Sequence, residues 1–205
     1  MDLPVTTPFP EDRQHASYDR DAVERYLRIL EWTDGVLEEF AGWYCGKTSP
    51  VHLFWHGLDL AVTRFGGARA PASPGAGRVD QDAYSHEVVS FGFWVGDESV
   101  REPSYYSYTF PEPVDLRRQH LQPDAASWGE QRGGSLALLP YDAVRTADDP
   151  RNALLAFLES AYRAGAGLAG WDQAALTSAW RPSPPQLSAI LAGVEALVIP
   201  GDDEA

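Results

Sequence analysis

The sequence predicts an α+β fold, in which an antiparallel sheet of four to five strands carries a long N-terminal helix and C-terminal helices on one face. Helical periodicity is confined to the two ends of the chain, and several short runs rich in β-branched and aromatic residues lie between them. No helical segment separates these runs, so the strands are expected to be antiparallel. The chain shows neither βαβ alternation nor a glycine-rich strand-to-helix turn, which argues against a dinucleotide-binding or P-loop fold.

The N-terminal elements are an arm and a helix. Residues 1–18 contain three prolines, which oppose regular structure, and are expected to be extended. Asp21 and Glu24, three positions apart, resemble a capping box. Apolar residues then recur at helical spacing, and a helix is therefore predicted to run from Asp21 to about residue 44.

Four segments have the composition of strands, namely 51–65, 85–96, 104–113 and 135–141. The first is expected to be a single strand bent at Gly57. In the second, strict alternation places Glu87 on one face and both His86 and Trp94 on the other. The polar stretch before the fourth segment is expected to be irregular.

The C-terminal part is expected to be helical. Asp149 and Pro150 are typical of an N-cap and a first helical residue, and an apolar stripe follows until a group of glycines near residue 165. Asp172 is expected to cap a short helix, and Ser183–Pro184 to begin another. The chain thus divides into an extended arm (1–18), a single α+β domain (19–180) and a C-terminal helix with an acidic tail (181–205).

The composition restricts the partners. The 205 residues carry a net charge of −14 and no basic run, which argues against nucleic acid or an anionic membrane as the partner. Cys45 is the only cysteine, so an intramolecular disulfide and a cysteine-based zinc site are excluded. No apolar stretch approaches the ~20 residues of a membrane span, and the N-terminus lacks the pattern of a secretory signal. A cytoplasmic location is expected, and the sequence identifies no cofactor.

Six stretches stand in a characteristic order between about residues 8 and 173: PFPEDRQHASYD, GKTSPVHLFW, DLAVTRFGGARAP, YSHEVVSFGFWVGD, YYSYTFPEP and LLPYDAVRTADDPRNALLAFLESAYRAGAGLAGWD. They resemble the bacterial family known as domain of unknown function 5996. The resemblance implies no activity, but it implies longer members with a further N-terminal copy of the helix–strand unit at 21–65. This chain is therefore expected to pair with a second copy of itself as a homodimer. The family motif often has a small residue at the position of His56, which weakens any mechanism that needs this histidine.

A metal site is one interpretation of the stretch SPVHLFWHGLD. His52 and His56 would converge on one ion if they lay on a helix, but on a strand they lie about 13 Å apart. A single site would instead combine His52 with His86 and Glu87 from another strand. We therefore expect no metal, and we expect His52 and His86 to be the ligands if one is bound.

General acid–base chemistry is a second interpretation. His52 and His86 stand near the starts of strands, where a side chain can face a pocket, and histidine titrates in the useful range. Glu87 heads an otherwise apolar face, where it would hold or move a proton. Histidines bonded to the backbone and a solvated glutamate explain the same pattern without any catalysis.

The aromatic residues suggest a ligand pocket between sheet and helix, lined by Trp94, Tyr106 and Tyr108, with Arg64 as an anchor for a carboxylate or phosphate. Core packing and an internal salt bridge of Arg64 are the structural alternatives.

The leading hypothesis is an intracellular protein that binds an unidentified small molecule, and that works as a metal-independent acid–base enzyme if it is catalytic. A non-catalytic dimerisation or interaction scaffold is the alternative, and a His/carboxylate metalloenzyme is the third hypothesis.

Overall fold

The computed structural model describes residues 7–15, 17–55, 57–71, 75, 77–97, 100–131 and 133–179. The helices in this part are α1 (Arg20–Gly42), α2 (Arg78–Ala83), α3 (Tyr141–Arg145) and α4 (Pro150–Leu168), with a 3₁₀ turn at Leu116–Arg118. The strands are β1 (His52–Phe54), β2 (Asp59–Arg69), β3 (His86–Trp94), β4 (Ser104–Phe110), β5 (Ser127–Gln131) and β6 (Gly134–Pro140). His56 and the helix predicted after Ser183 lie outside the described residues.

The six strands form one antiparallel sheet in the order β1-β2-β3-β4-β6-β5. This confirms the α+β prediction, but the expected number of four to five strands was wrong. The segment 51–65 is a hairpin of β1 and β2 rather than one bent strand, because the chain reverses before Leu58, which has a φ of 53°. The sixth strand, β5, was missed because its sequence SWGEQ is polar and lies at the sheet edge.

The N-cap of helix α1 lies two residues before the predicted capping residue. The carboxylate of Asp19 accepts a hydrogen bond from the backbone N–H of Ala22 and is therefore the N-cap. Glu24 instead accepts from Arg20 on the helix surface at 2.6 Å, so the expectation that Asp21 caps the helix was wrong. The helix buries Leu37 and Phe40 of the apolar residues at helical spacing, together with Val36, whereas Val23 and Leu27 of that series are exposed.

Helix α4 lies beside α1 on the same face of the sheet. Asp149 caps it by accepting from the backbone N–H of Asn152, and Pro150 is its first residue, as predicted. The helix approaches the sheet most closely at Gly165, where an added Cβ would lie 2.1 Å from Thr109 Oγ1 of β4. Together α1, α4 and the helix-facing side of the strands enclose the main core.

The segment after α4 returns to the end of α1. The predicted short helix at Asp172 was wrong: the segment forms a turn, in which the backbone N–H of Leu176 donates to the Asp172 carbonyl at 3.0 Å. The backbone N–H of Cys45 then donates to the carbonyl of Leu176 at 3.1 Å, and that of Ser178 to the carbonyl of Trp43 at 3.0 Å. None of the described helices is long and apolar enough to cross a membrane.

Candidate functional site

A cleft of about 350 Å³ lies where the C-terminal end of α4 meets the start of β3 and the end of β4. Its walls combine two carboxylates with aromatic and aliphatic side chains, which include Glu87, Thr109, Phe110, Glu112, Leu168 and Trp171. Among the described residues, no lysine, arginine or histidine belongs to the lining. We call this feature the acidic cleft.

Glu87 is the best-positioned group in the acidic cleft. It is the second residue of β3, on the helix-facing side of the sheet, and is half-buried. The indole Nε1–H of Trp171 donates to its Oε2 atom at 2.8 Å. Trp171 is itself buried and is packed so closely over Gly66 that a Cβ there would lie 2.2 Å from the indole. The carboxylate is therefore held by a rigid donor.

Glu112, the second carboxylate, is held from outside the cleft. It accepts hydrogen bonds from the backbone N–H of Ser135 at 2.7 Å and from the hydroxyl of the same residue. The Nε–H of Arg117 donates to that serine hydroxyl at 2.8 Å, which brings a positive charge close to Glu112. In contrast, no described cation forms an ion pair with Glu87.

The end of α4 adds further negative potential. Leu168 and Ala169, its last residue and C-cap, line the cleft, and the last turn contains no basic residue. The carbonyl groups at a helix C-terminus carry partial negative charge and favour a cation. Two carboxylates and a helix C-terminus thus face a space with apolar walls, an arrangement that suits a positively charged organic group.

The seven residues that the sequence singled out do not converge on the acidic cleft. Of these seven, only Glu87 lines it. Five of them lie on the opposite face of the sheet, away from α1 and α4, namely His52, His86, Trp94, Tyr106 and Tyr108. The alternation of β3 explains this separation, because neighbouring strand residues point to opposite faces. The alternation predicted for β3 is therefore confirmed, whereas the single pocket assembled from both of its faces is not formed.

The two histidines are far from one another. His52 pairs with Ala61, Ala61 pairs with Gly92, and Gly92 lies six positions from His86, which corresponds to about 20 Å along the strand. The His52 ring hydrogen-bonds the Pro50 carbonyl at 2.9 Å, and that of His86 contacts the Ser85 hydroxyl at 3.1 Å. The two rings cannot share one metal ion. Among the described residues, no group of three or more His, Cys, Asp or Glu side chains is placed to hold one.

The tyrosines of β4 belong to a hydrogen-bonded network on that opposite face. The Tyr106 hydroxyl donates to Asp59 Oδ2 at 2.7 Å, and the hydroxyl oxygens of Tyr108 and Tyr84 lie 3.1 Å apart. Burial raises the pKa of Tyr106 and of Tyr108 well above the usual value, so both stay protonated. Trp94 packs against Tyr106 in a small cluster and is 9% exposed. These groups support the sheet.

Arg64 does not reach a pocket as an anion anchor would. It is 2% exposed and lies on the helix-facing side of β2, where its guanidinium carbon is 3.6 Å from the Phe40 ring centroid and 4.5 Å from that of Tyr162. Its Nη2 atom also donates to the carbonyl of Phe40. The guanidinium therefore stacks within the core, between α1 and α4.

Sequence reasoning missed Glu112 and Trp171. Glu112 stands in PEP, a stretch that matches no motif with a known mechanism. Trp171 follows Gly170, which has a φ of 73° and ends the α4 region. A large aromatic residue directly after a helix-ending glycine was the available signal, since such a residue often packs back onto the helix it follows.

Comparison with known proteins identifies a family without an assigned activity. The model of the family of unknown function DUF5996 matches residues 1–178, which include every residue of the acidic cleft. No curated protein and no solved structure matches the chain.

Proposed function

We propose that this chain, which belongs to the DUF5996 family, binds a small organic cation, namely a protonated primary amine, in the acidic cleft. The observation that carries the proposal is the placement of Glu87. Its half-buried carboxylate is oriented by the Trp171 indole, and none of the described residues that line the space in front of it is basic.

The chemistry of the walls supports a cationic ligand over a neutral or anionic one. A carboxylate in a partly desolvated cleft forms a charge-assisted hydrogen bond with an ammonium group. Trp171 supplies an aromatic ring that attracts a cation, and Leu168 supplies apolar contact for its carbon atoms. An anionic ligand would meet both Glu87 and Glu112 and would be repelled.

Binding, rather than catalysis, is the function we propose. The three residues considered for acid–base chemistry lie on two faces of the sheet, since Glu87 faces the helices and His52 and His86 face away from them. A single carboxylate in a cleft is sufficient to bind an amine, whereas proton transfer in both directions generally needs a second positioned group.

The proposal is tested by calorimetric titration at low salt and neutral pH with three probes of similar shape, namely benzylammonium, benzyl alcohol and benzoate. We expect measurable binding of the cation alone. Glu87→Gln should weaken it by roughly 10–100-fold, as expected for the loss of a charge-assisted interaction worth about 1.5–3 kcal/mol. Glu38→Gln, which makes the same charge change at an exposed position of α1, is the control and should bind normally. Binding of benzoate, or cation binding that survives Glu87→Gln, would contradict the proposal.

A further inference from the structure

An exposed apolar surface lies at the β1 edge of the sheet, remote from the acidic cleft. It consists of side chains from β1, the following turn and the first half of α1, with exposed fractions of 42% for Leu53, 44% for Phe54, 84% for Trp55, 48% for Leu58, 46% for Val23 and 53% for Leu27. We call it the β1 edge surface. Large apolar side chains exposed together in this way usually mark an interface.

The strand and helix parts of this surface adjoin. Tyr26, one turn after Val23 on α1, donates its hydroxyl hydrogen to the carbonyl of Leu58 in the turn after β1. On the other side of α1, Glu39 pairs with Arg151 of α4. At 100° per residue Val23 lies about 160° around the helix from Glu39, so its flank of α1 points away from α4 and towards β1.

The backbone and the charges at this edge favour another copy of the same strand. Among the described residues β1 pairs only with β2, so its outer side offers unpaired N–H and C=O groups. Between Lys47 and Asp59 the chain contains no Asp, Glu, Lys or Arg, although 22% of its residues are charged. With a net charge of −14, two copies repel each other over most of their surface, and this uncharged stretch lets them approach.

The size of the surface suits a dimer. With about 150–250 Å² for each fully exposed aromatic side chain and somewhat less for each aliphatic one, the exposed fractions amount to roughly 600 Å² per chain. If all of this area were covered, a twofold contact would bury at most about 1,200 Å² in total, which is the lower end of the range for specific protein interfaces.

We infer that two copies of this chain associate through the β1 edge surface, with their β1 strands antiparallel across a twofold axis, so that the two sheets become continuous. A twofold axis makes each copy present the same surface to the other, and an antiparallel edge strand is complementary to itself under that symmetry. The inference is independent of the proposed ligand, because the two surfaces share no residue.

Sedimentation equilibrium between about 1 and 100 µM tests the inference, and we expect wild-type protein at twice the chain mass. Trp55→Lys should raise the dissociation constant at least tenfold, and it leaves the fold intact because Trp55 is 84% exposed. The double variant with Leu53→Lys should be monomeric. Val79→Lys places the same charge at an 81% exposed valine of α2 and is the matched control.

Two results would overturn the inference. One is a wild-type chain that stays monomeric over the whole concentration range, which would leave the surface to a different protein. The other is a dimer that Trp55→Lys and the double variant leave unchanged, or that Val79→Lys weakens equally, since the contact would then lie elsewhere. Circular dichroism spectra of all variants confirm that the sheet and helices are retained.

Discussion

Replacing Arg64 by lysine keeps the positive charge, but it is expected to destabilise the fold strongly. The guanidinium is almost fully buried and lies 3.6 Å from the Phe40 centroid, with the ring of Tyr162 at 4.5 Å. Each of these stacked contacts needs a flat, weakly hydrated cation. A lysine ammonium is compact and strongly hydrated, so it would carry the cost of burial without the stacking.

The magnitude follows from the contacts that are lost. Stacking of a desolvated cation on aromatic rings contributes about 2 kcal/mol, and the guanidinium hydrogen bond to the Phe40 carbonyl about 1.5–3 kcal/mol. Since lysine recovers part of this, we expect Arg64→Lys to lower the free energy of unfolding by about 3 kcal/mol. For a chain of this length the melting temperature should fall by roughly 6–12 °C.

Arg64→Met is the informative companion variant. Methionine fills a similar volume and removes the buried charge, whose desolvation opposes folding, so we expect a loss of only about 1 kcal/mol. Urea denaturation with an unchanged m-value measures both variants. A lysine variant within about 0.5 kcal/mol of wild type, or a methionine variant less stable than the lysine one, would refute the stacking argument.

Three further predictions concern packing and titration. Gly165→Ala should lower the free energy of unfolding, measured by urea denaturation, by about 1–3 kcal/mol, because the added Cβ would clash with β4. Gly35→Ala, in the middle of α1 with nothing within 4 Å, should raise it by about 0.5–1 kcal/mol. Equal effects of the two changes would contradict the close approach of α4. Tyr106→Phe should lower the free energy of unfolding by about 1–3 kcal/mol, because Asp59 loses a hydrogen-bond donor. The double variant Tyr106→Phe with Asp59→Ala should lose less stability than the sum of the losses in the two single variants. A loss equal to that sum would show that the hydrogen bond contributes nothing. Burial, with Asp59 nearby, raises the pKa of Tyr26 to about 12 from 10, so the folded state binds this proton more tightly than the unfolded chain. The contribution of Tyr26 to the free energy of unfolding is therefore complete below pH 10 and should be lost as the pH rises to 12. Urea denaturation measures this loss, and tyrosinate absorbance measures the ionisation of the tyrosine. A free energy of unfolding that is constant up to pH 12 would disprove the prediction.

Elements with a strong local pattern could be predicted from the sequence. The alternation of β3 assigned Glu87 and His86 to opposite faces, and Asp149–Pro150 marked the start of α4 correctly. These signals involve residues within one element, so they do not depend on the arrangement of the rest of the chain. The hairpin at the start of the sheet was not predicted, because its reversal at Leu58 lacks the residue pairs that usually mark a turn.

The site depended on contacts between residues far apart in the chain. Trp171 and Glu87 are separated by 84 positions, and no pattern in either segment indicates that they meet. Arg64 shows the same difficulty in a different form. In the structure it shares the buried face of β2 with Leu60 and Val62, but its partner Phe40 comes from α1, so the sequence does not distinguish an arginine for ligand binding from one for core stacking.

The return of the C-terminal segment to α1 has a consequence for the order of folding during synthesis. The end of α1 leaves the ribosome early, yet the carbonyl of Trp43 receives its hydrogen bond from Ser178, which is made more than a hundred residues later. The same late segment carries Trp171, the donor to Glu87. The strands of a nascent chain can therefore pair before Trp171 is made, whereas the acidic cleft forms only after it, and a chain shortened after Leu168 would lack one wall of the cleft.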